Sequence, residues 1–316
     1  MGKLDQGDSR GLFGLSFVRD MMIQRFFGIL LALVLSWPGG MVAQEQGALR
    51  TELEKVYHEW RGAMLNRNVQ AWQNSTSRYR QVQTHNMIVS QRQPYPEAVF
   101  AVPLRPPDIV KLKLLEVEAV GETAHLVYFG RIDLGIEVDE VPENLLVLRY
   151  IKDPNGWRFD TSRMVNLQGA LDVRASLKEG GKPTFLDEPE FTPPGKAPPV
   201  PAVCKVPQYV GAFQIESIGY ETRVKVNGFD YPPVKDVAIN QLIIGGLNKD
   251  ENDLELAIVP TEVPPGEERS LEISVMVVQG NAEQKPVPVY RWRTTEAVPP
   301  PVKKASVWVN NSTLKK

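Results

Sequence analysis

The chain has 316 residues, and its 36 basic and 38 acidic side chains leave a formal charge of −2, which argues against a globally basic nucleic-acid binder and against a strongly acidic solvating chain. Hydrophobic residues make up 42%, enough for ordinary cores, and the length suggests about two domains at roughly 150 residues each. One cysteine excludes an intramolecular disulfide framework and a cysteine-based zinc site, and three scattered histidines argue against an all-histidine site, so neither metal nor cofactor is expected.

Residues 1–43 read as a leader. Phe26 to Trp37 is an uncharged apolar run of twelve residues, preceded by Arg25 and followed by Pro38-Gly39-Gly40 as a helix breaker and small residues around Ala43. Positive flank, short apolar core, breaker and small residues are the order of a secretory signal peptide, and the run falls short of the ~20 residues of a membrane span. Cleavage is expected before Gln44. Met21 or Met22 is expected as the true start, because the residues before them add nothing that a signal needs. The address is therefore exported, periplasmic or extracellular.

Residues 46–180 open helical. Leu49, Leu53, Val56, Trp60, Ala63 and Met64 recur near helical spacing and give one apolar face. Asn66 and Asn68 read as a stop and a new cap, followed by a short helix with Ala71 and Trp72 and by a third helix over Arg78–Gln91 that Pro94 and Pro96 end. Strands come next. Over Val110–Val120 the alternation slips at Leu114–Leu115, which predicts a β-bulge. Glu122–Asp133 puts Ala124, Leu126, Tyr128 and Ile132 on one side, and the nearly all-apolar Asn144–Ile151 reads as buried on both faces. Asp153-Pro154-Asn155-Gly156 is a turn, and Trp157–Val165 the returning strand. Helices followed by antiparallel strands make an α+β domain.

This order resembles the NTF2-like superfamily. The resemblance covers about residues 48–172 and is carried by a long first helix with an inward Trp60, a short Ala71-Trp72 helix and a late hairpin ending Gly156-Trp157-Arg158-Phe159-Asp160. It implies a curved antiparallel sheet wrapped around the first helix as a cone. Enzymes of that superfamily place acidic, histidine or tyrosine groups in the cone, while other members are silent binding or dimerisation modules. In enzyme-like members an acid often follows the second helix; Asn74-Ser75-Thr76-Ser77 has none, which weighs against inherited catalysis.

Residues 181–207 hold seven prolines between Pro189 and Pro207 and predict a stiff, extended linker. Cys204 within it is expected to be a buried, inert thiol. Residues 208–296 are all β. Short strands are predicted at Phe213–Ile218, Tyr220–Val226, Gln241–Ile244, Leu254–Val259, Leu271–Val278 and Val287–Trp292, with turns at Asn227-Gly228, Gly245-Gly246 and Pro264-Pro265-Gly266, a pattern of a β-sandwich. The run Val-Lys-Val-Asn-Gly (224–228), followed by Ile243-Ile244-Gly245-Gly246-Leu247-Asn248, is similar to jelly-roll and Ig-like accessory domains of exported proteins, some of which bind carbohydrate. Residues 297–316 read as a basic tail in which Val307, Trp308 and Val309 could add an edge strand.

No dinucleotide, phosphate-loop, zincin or nucleophile-elbow motif is present. Lys249–Asp253 offers oxygen ligands without the spacing of an EF-hand and reads as a solvated turn. His125, Tyr128, Asp133, Arg149 and Arg163 fall on predicted strands, but strand parity puts His125 and Asp133 on one face and Tyr128 on the other, so they cannot share one cavity. No catalytic residue is assigned. The competing candidates are His125, Tyr128 and a carboxylate of the first helix, Glu59 or Glu54. Trp60–Pro96 contains Arg61, Arg67, Arg78, Arg80 and Arg92 and no acid, a patch for an anionic ligand or partner, and the acidic run Asp133, Glu137, Asp139, Glu140 and Glu143 is its candidate counterpart. The sequence thus reads as an exported protein with an NTF2-like α+β domain and a β-sandwich, non-catalytic, acting in binding or assembly at the cell envelope. The rivals are an enzyme of isomerase, dehydratase or cyclase type with a small apolar substrate in the cone, and carbohydrate binding by the sandwich. Expected partners are a second copy through the first domain's sheet and an envelope protein or polysaccharide. Nucleic acid is not expected, and membrane contact only through an uncleaved leader.

Overall fold

The computed structural model describes residues 38–137, 140–189, 191–279, 285–311 and 314. The apolar run 26–37 of the expected signal peptide lies outside the described residues; among those described, no helix is long and apolar enough to cross a membrane. The first described helix is α1 (Pro38–Leu65).

Asn68 caps α2 (Val69–Ser75), its side chain accepting from Ala71 N at 3.0 Å. Ser77 caps α3 (Arg78–Ser90) by accepting from Arg80 N. Four strands follow a 3-10 turn at Glu97–Phe100: β1 (Lys113–Val120), β2 (Thr123–Arg131), β3 (Glu143–Asp153) and β4 (Gly156–Val165). They form one antiparallel sheet in the order β1-β2-β3-β4. The predicted bulge is present between Leu114 and Glu116. It leaves Leu114 and Val117 on the α1 side with Ala124, Leu126, Tyr128 and Ile132, and turns Leu115 to the other face.

Both faces of this sheet are covered. Leu53, Val56, Tyr57 and Trp60 of α1 pack on one, against Leu146, Leu148, Tyr150 and Phe159. On the other, Val127, Phe129, Leu145 and Val147 pack against Leu177 of α4 (Leu171–Glu179), Leu186 of a 3-10 turn and Phe191. Gly180, in the left-handed region at φ 96°, closes α4. The face available for a sheet-to-sheet homodimer is thus occupied by the chain's own residues 167–191. Residues 181–207, expected as a stiff, extended linker, are packed against this domain at several points. Leu186 and Phe191 are core residues. Beyond them, Gly195 N donates to Thr123 Oγ1, Glu122 N to Gly195 O, and Ala197 N to Glu122 Oε2. The proline-rich segment is a strap fastened to the β1–β2 turn.

The second half is a seven-stranded sheet built on β5 (Val210–Val226), with β6 (Phe229–Asp230), β7 (Val234–Leu242), β8 (Asp250–Pro260), β9 (Ser270–Val278), β10 (Val287–Thr294) and β11 (Val302–Val309). Two strands predicted separately, 213–218 and 220–226, are one strand bent at Gly219 (φ 73°), where a Cβ would meet Val263 at 2.9 Å. Before the bend β5 pairs with β9, and after it with β8, so hydrogen bonding runs unbroken through a nearly closed sheet in the order β10-β9-β5-β8-β11. Phe213, Ile215, Tyr220, Leu256, Ile273 and Val307 fill its inside. Residues 302–309, expected within a basic tail, are a strand paired with β8 along its whole length.

Candidate functional site

Four places in the fold bring chemistry-bearing side chains together. The first lies between α1 and the sheet. Tyr128 Oη donates to Glu54 Oε1 at 2.7 Å, and Arg50 Nε donates to the same oxygen at 2.8 Å. Tyr57 Oη donates to Pro107 O, and the buried Tyr150 hydroxyl has no hydrogen-bond partner among the described residues. Burial raises the pKa of Tyr57, Tyr128 and Tyr150, and the bond to Glu54 adds to the rise at Tyr128. These phenols hold their protons at neutral pH, so Tyr57 and Tyr128 donate hydrogen bonds and none of the three acts as a base. The space around them is filled by rings, with Trp60 and Phe159 centroids 4.1 Å apart and Tyr57 5.5 Å from Phe159. Of the two carboxylates proposed for Tyr128, Glu54 meets it; Glu59 is exposed and lies 3.9 Å from Lys55.

The second place is on the opposite face of the sheet, as strand parity requires. His125 is 1% exposed and neither ring nitrogen makes a hydrogen bond of normal geometry. Across the sheet Arg149 stands opposite it on β3, Glu118 stands opposite on β1, and Glu116 two residues before that. His125 Nε2 lies 3.9 Å from Glu116 Oε1 and 3.8 Å from Glu118 Oε2. Burial lowers the His125 pKa against the pull of both carboxylates; the nearby Phe191 backbone also favours its proton, and Arg149 opposes it. One potential ligand atom from each of Glu116, Glu118 and His125 falls within a mutual 4.8 Å, a mixed imidazole–carboxylate set that counting histidines could not reveal. The strap roofs an adjoining pocket of about 420 Å³ that reaches His125, Arg149, Tyr150 and Lys196.

The third place is the arginine-rich segment, whose members engage different neighbours. Arg61 Nε donates to Pro106 O and the guanidinium lies 3.5 Å from Asp108. Arg80 Nε donates to Asp160 O at 2.8 Å, while Ser77 Oγ donates to Asp160 Oδ1 at 2.6 Å. The segment that lacks the enzyme-like acid is thus a helix cap tied to β4. Arg92 reaches Gln208 O, and Arg67 and Arg78 are exposed. Of the acidic run, Glu140 pairs with Arg131, Glu143 with Lys178, and Asp133 accepts from Gly135 N; Asp139 lies outside the described residues. Residues 249–253, expected as a solvated turn, are mostly the start of β8, where they pair with β11, with buried Asn252 bonded to Asn227, Asn248 and Val307.

The fourth place was not singled out in the sequence. A cleft of about 480 Å³ opens between α3 with the 97–100 turn on one side and the β6–β7 region on the other. Ile88, Ala98 and Val99 form one wall, and Phe229, Tyr231 and Ile244 the other. Arg80, Gln83, Asp230 and Gln241 supply polar groups. Its floor is fixed by a seam. Asn86 Nδ2 donates to Ala202 O, Asn86 Oδ1 accepts from Cys204 N, and Ser90 Oγ accepts from Gly245 N. Cys204 is buried beside it as a free thiol. No known protein family, curated protein or solved structure matches this chain in a comparison with each.

Proposed function

We propose that the protein is a non-catalytic binding protein of the cell envelope, and that the cleft between its two halves takes a small apolar or amphipathic molecule. In this reading the first half is an NTF2-like cone closed by its own aromatic side chains, and the second is an accessory β-sandwich whose two layers are joined through the bend of β5. The observation that carries the reading is the cleft, which is walled by apolar side chains from both halves and ringed by a few polar groups. That size and lining are those of small-molecule sites, which favour boundaries between structural units. Two measurements test it. The probe 1-anilinonaphthalene-8-sulfonate should bind saturably with enhanced fluorescence, and Ala98→Trp, which fills the cleft, should weaken it at least about tenfold. Unsaturable binding, or binding indifferent to Ala98→Trp, overturns the cleft. N-terminal sequencing of native protein should begin near Gln44, and an intact residue 1–20 segment overturns the exported address.

A second reading, an enzyme with its substrate in the cone, is favoured by the Tyr128–Glu54 contact at 2.7 Å. Against it stand the filled interior and a phenol whose proton burial holds fast. Carbohydrate binding by the sandwich has less support. Trp308 is half exposed, with no second aromatic among the strongly exposed large side chains described.

A further inference from the structure

We infer that Glu116, Glu118 and His125 form a binding site for one first-row divalent cation, zinc above all, separate from the cleft. Two carboxylates from alternate residues of β1 and an imidazole from β2 lie on one face of the sheet, held there by the register that sets Glu118 opposite His125. The bulge between Leu114 and Glu116 sets the phase of both glutamates. Three ligands leave a fourth position open, and imidazole with carboxylate oxygens is a set that zinc accepts.

What raises this above an ordinary acidic cluster is the imidazole. His125 is 99% buried, because 1% of its surface is exposed, and among the described residues neither ring nitrogen has a hydrogen bond of normal geometry. A buried polar group without a partner is costly, and such groups in native folds commonly mark an ion or a functional role. Glu116 is only partly exposed, and the cation beside its carboxylate is the Lys182 ammonium, 3.3 Å from Oε2. The Nε2-to-oxygen separations of 3.8 and 3.9 Å are longer than the about 3.4 Å between ligands of a tetrahedral ion with bonds near 2.1 Å. Both imidazole–carboxylate separations need a contraction of about half an ångström, the two carboxylate oxygens lie within 4.8 Å of each other, and Glu118, with 38% of its side chain exposed, has room to move inward.

Two cations already bear on the site. Arg149 lies opposite His125 on β3 and opposes a positive ion there. Lys182 lies 3.3 Å from Glu116 Oε2 and 2.7 Å from Asp187 Oδ1, and 46% of its side chain is exposed. Its ammonium can retire to Asp187 when an ion takes Glu116, so lysine and metal compete for one carboxylate.

The test is equilibrium dialysis of the tag-free, chelator-treated full chain against zinc, with cobalt(II) absorption as a second reading of the ligand set. One zinc per chain is expected, with a saturable rise in Tm. His125→Gln and Glu118→Gln should each lower affinity by at least about tenfold, while Lys182→Met, which removes the competitor, should raise it. Glu118→Gln alters a half-exposed side chain and so keeps the result readable if His125→Gln fails to fold. His58→Gln, at an exposed position on α1, should change nothing. No binding by the folded wild type, or equal binding by wild type and Glu118→Gln, overturns the site. Binding only in Lys182→Met also overturns it, because Lys182 is then the resident cation.

Discussion

Asn86 is one residue on which both halves of the molecule depend. It is 3% exposed, and its amide uses both ends, donating to Ala202 O at 2.8 Å and accepting from Cys204 N at 2.9 Å. Its neighbour one turn on, Ser90, donates to Asn86 O and accepts from Gly245 N. Asn86→Ala removes the bonds to Ala202 and Cys204, along with the contact to His85 Nδ1, and strands the Cys204 amide in a buried place. The expected cost is about 2–3 kcal/mol, since a buried donor left unpaired forfeits its desolvation energy as well as its bond. Because Cys204 is the lone cysteine and is buried, its reaction with a thiol reagent reports directly on the seam. It should be slow in the wild type and much faster in Asn86→Ala under native conditions. Equal labelling rates with unchanged urea stability would mean that the strap is held by its prolines alone.

At the level of elements, what could be read in advance follows from periodicity. The slip at Leu114–Leu115 contradicted a regular alternation, and a bulge was the local solution that keeps Leu112, Leu114 and Val117 on one face. Asn144–Ile151 had no polar alternation because α1 covers one side of β3 and α4 with Leu186 and Phe191 the other. β7 was mostly missed because it faces water along much of its length and so has little apolar pattern to betray it. The strap obeys a related logic. Proline content fixes an extended backbone, but whether that backbone is free depends on Phe191, Cys204 and Pro207 finding buried places, which is a tertiary fact. The candidate sites divide likewise. Strand parity separated His125 from Tyr128 correctly, and the Tyr128–Glu54 pairing was within reach of pattern reasoning. The Glu116–Glu118–His125 group was not, because it requires the register of β1 against β2, and the cleft was not, because its walls come from residues far apart in the chain.

At the scale of the whole molecule, the buried tyrosines tie stability to alkaline pH. Burial raises the pKa of Tyr57, Tyr128 and Tyr150 in the first half and pushes Tyr231 in the second up to about 12. In an unfolded chain each ionises near 10. A phenol whose folded pKa lies above its unfolded value adds stability that is fully present below about pH 10 and is lost as pH rises toward the folded value, because the unfolded state there releases more protons. The urea midpoint should therefore hold level to about pH 9.5 and fall steeply above it. The chain has nine tyrosines, and the phenolate absorbance near 295 nm counts them as they ionise. Tyr57, Tyr128, Tyr150 and Tyr231 should ionise only when their cores open. Since the Asn86–Cys204 and Ser90–Gly245 bonds join the half that holds three of these rings to the half that holds the fourth, the late absorbance should appear in one step that coincides with loss of near-ultraviolet circular dichroism. Two separated steps, with Tyr231 ionising alone at the higher pH, would mean that the seam positions the halves without coupling their unfolding.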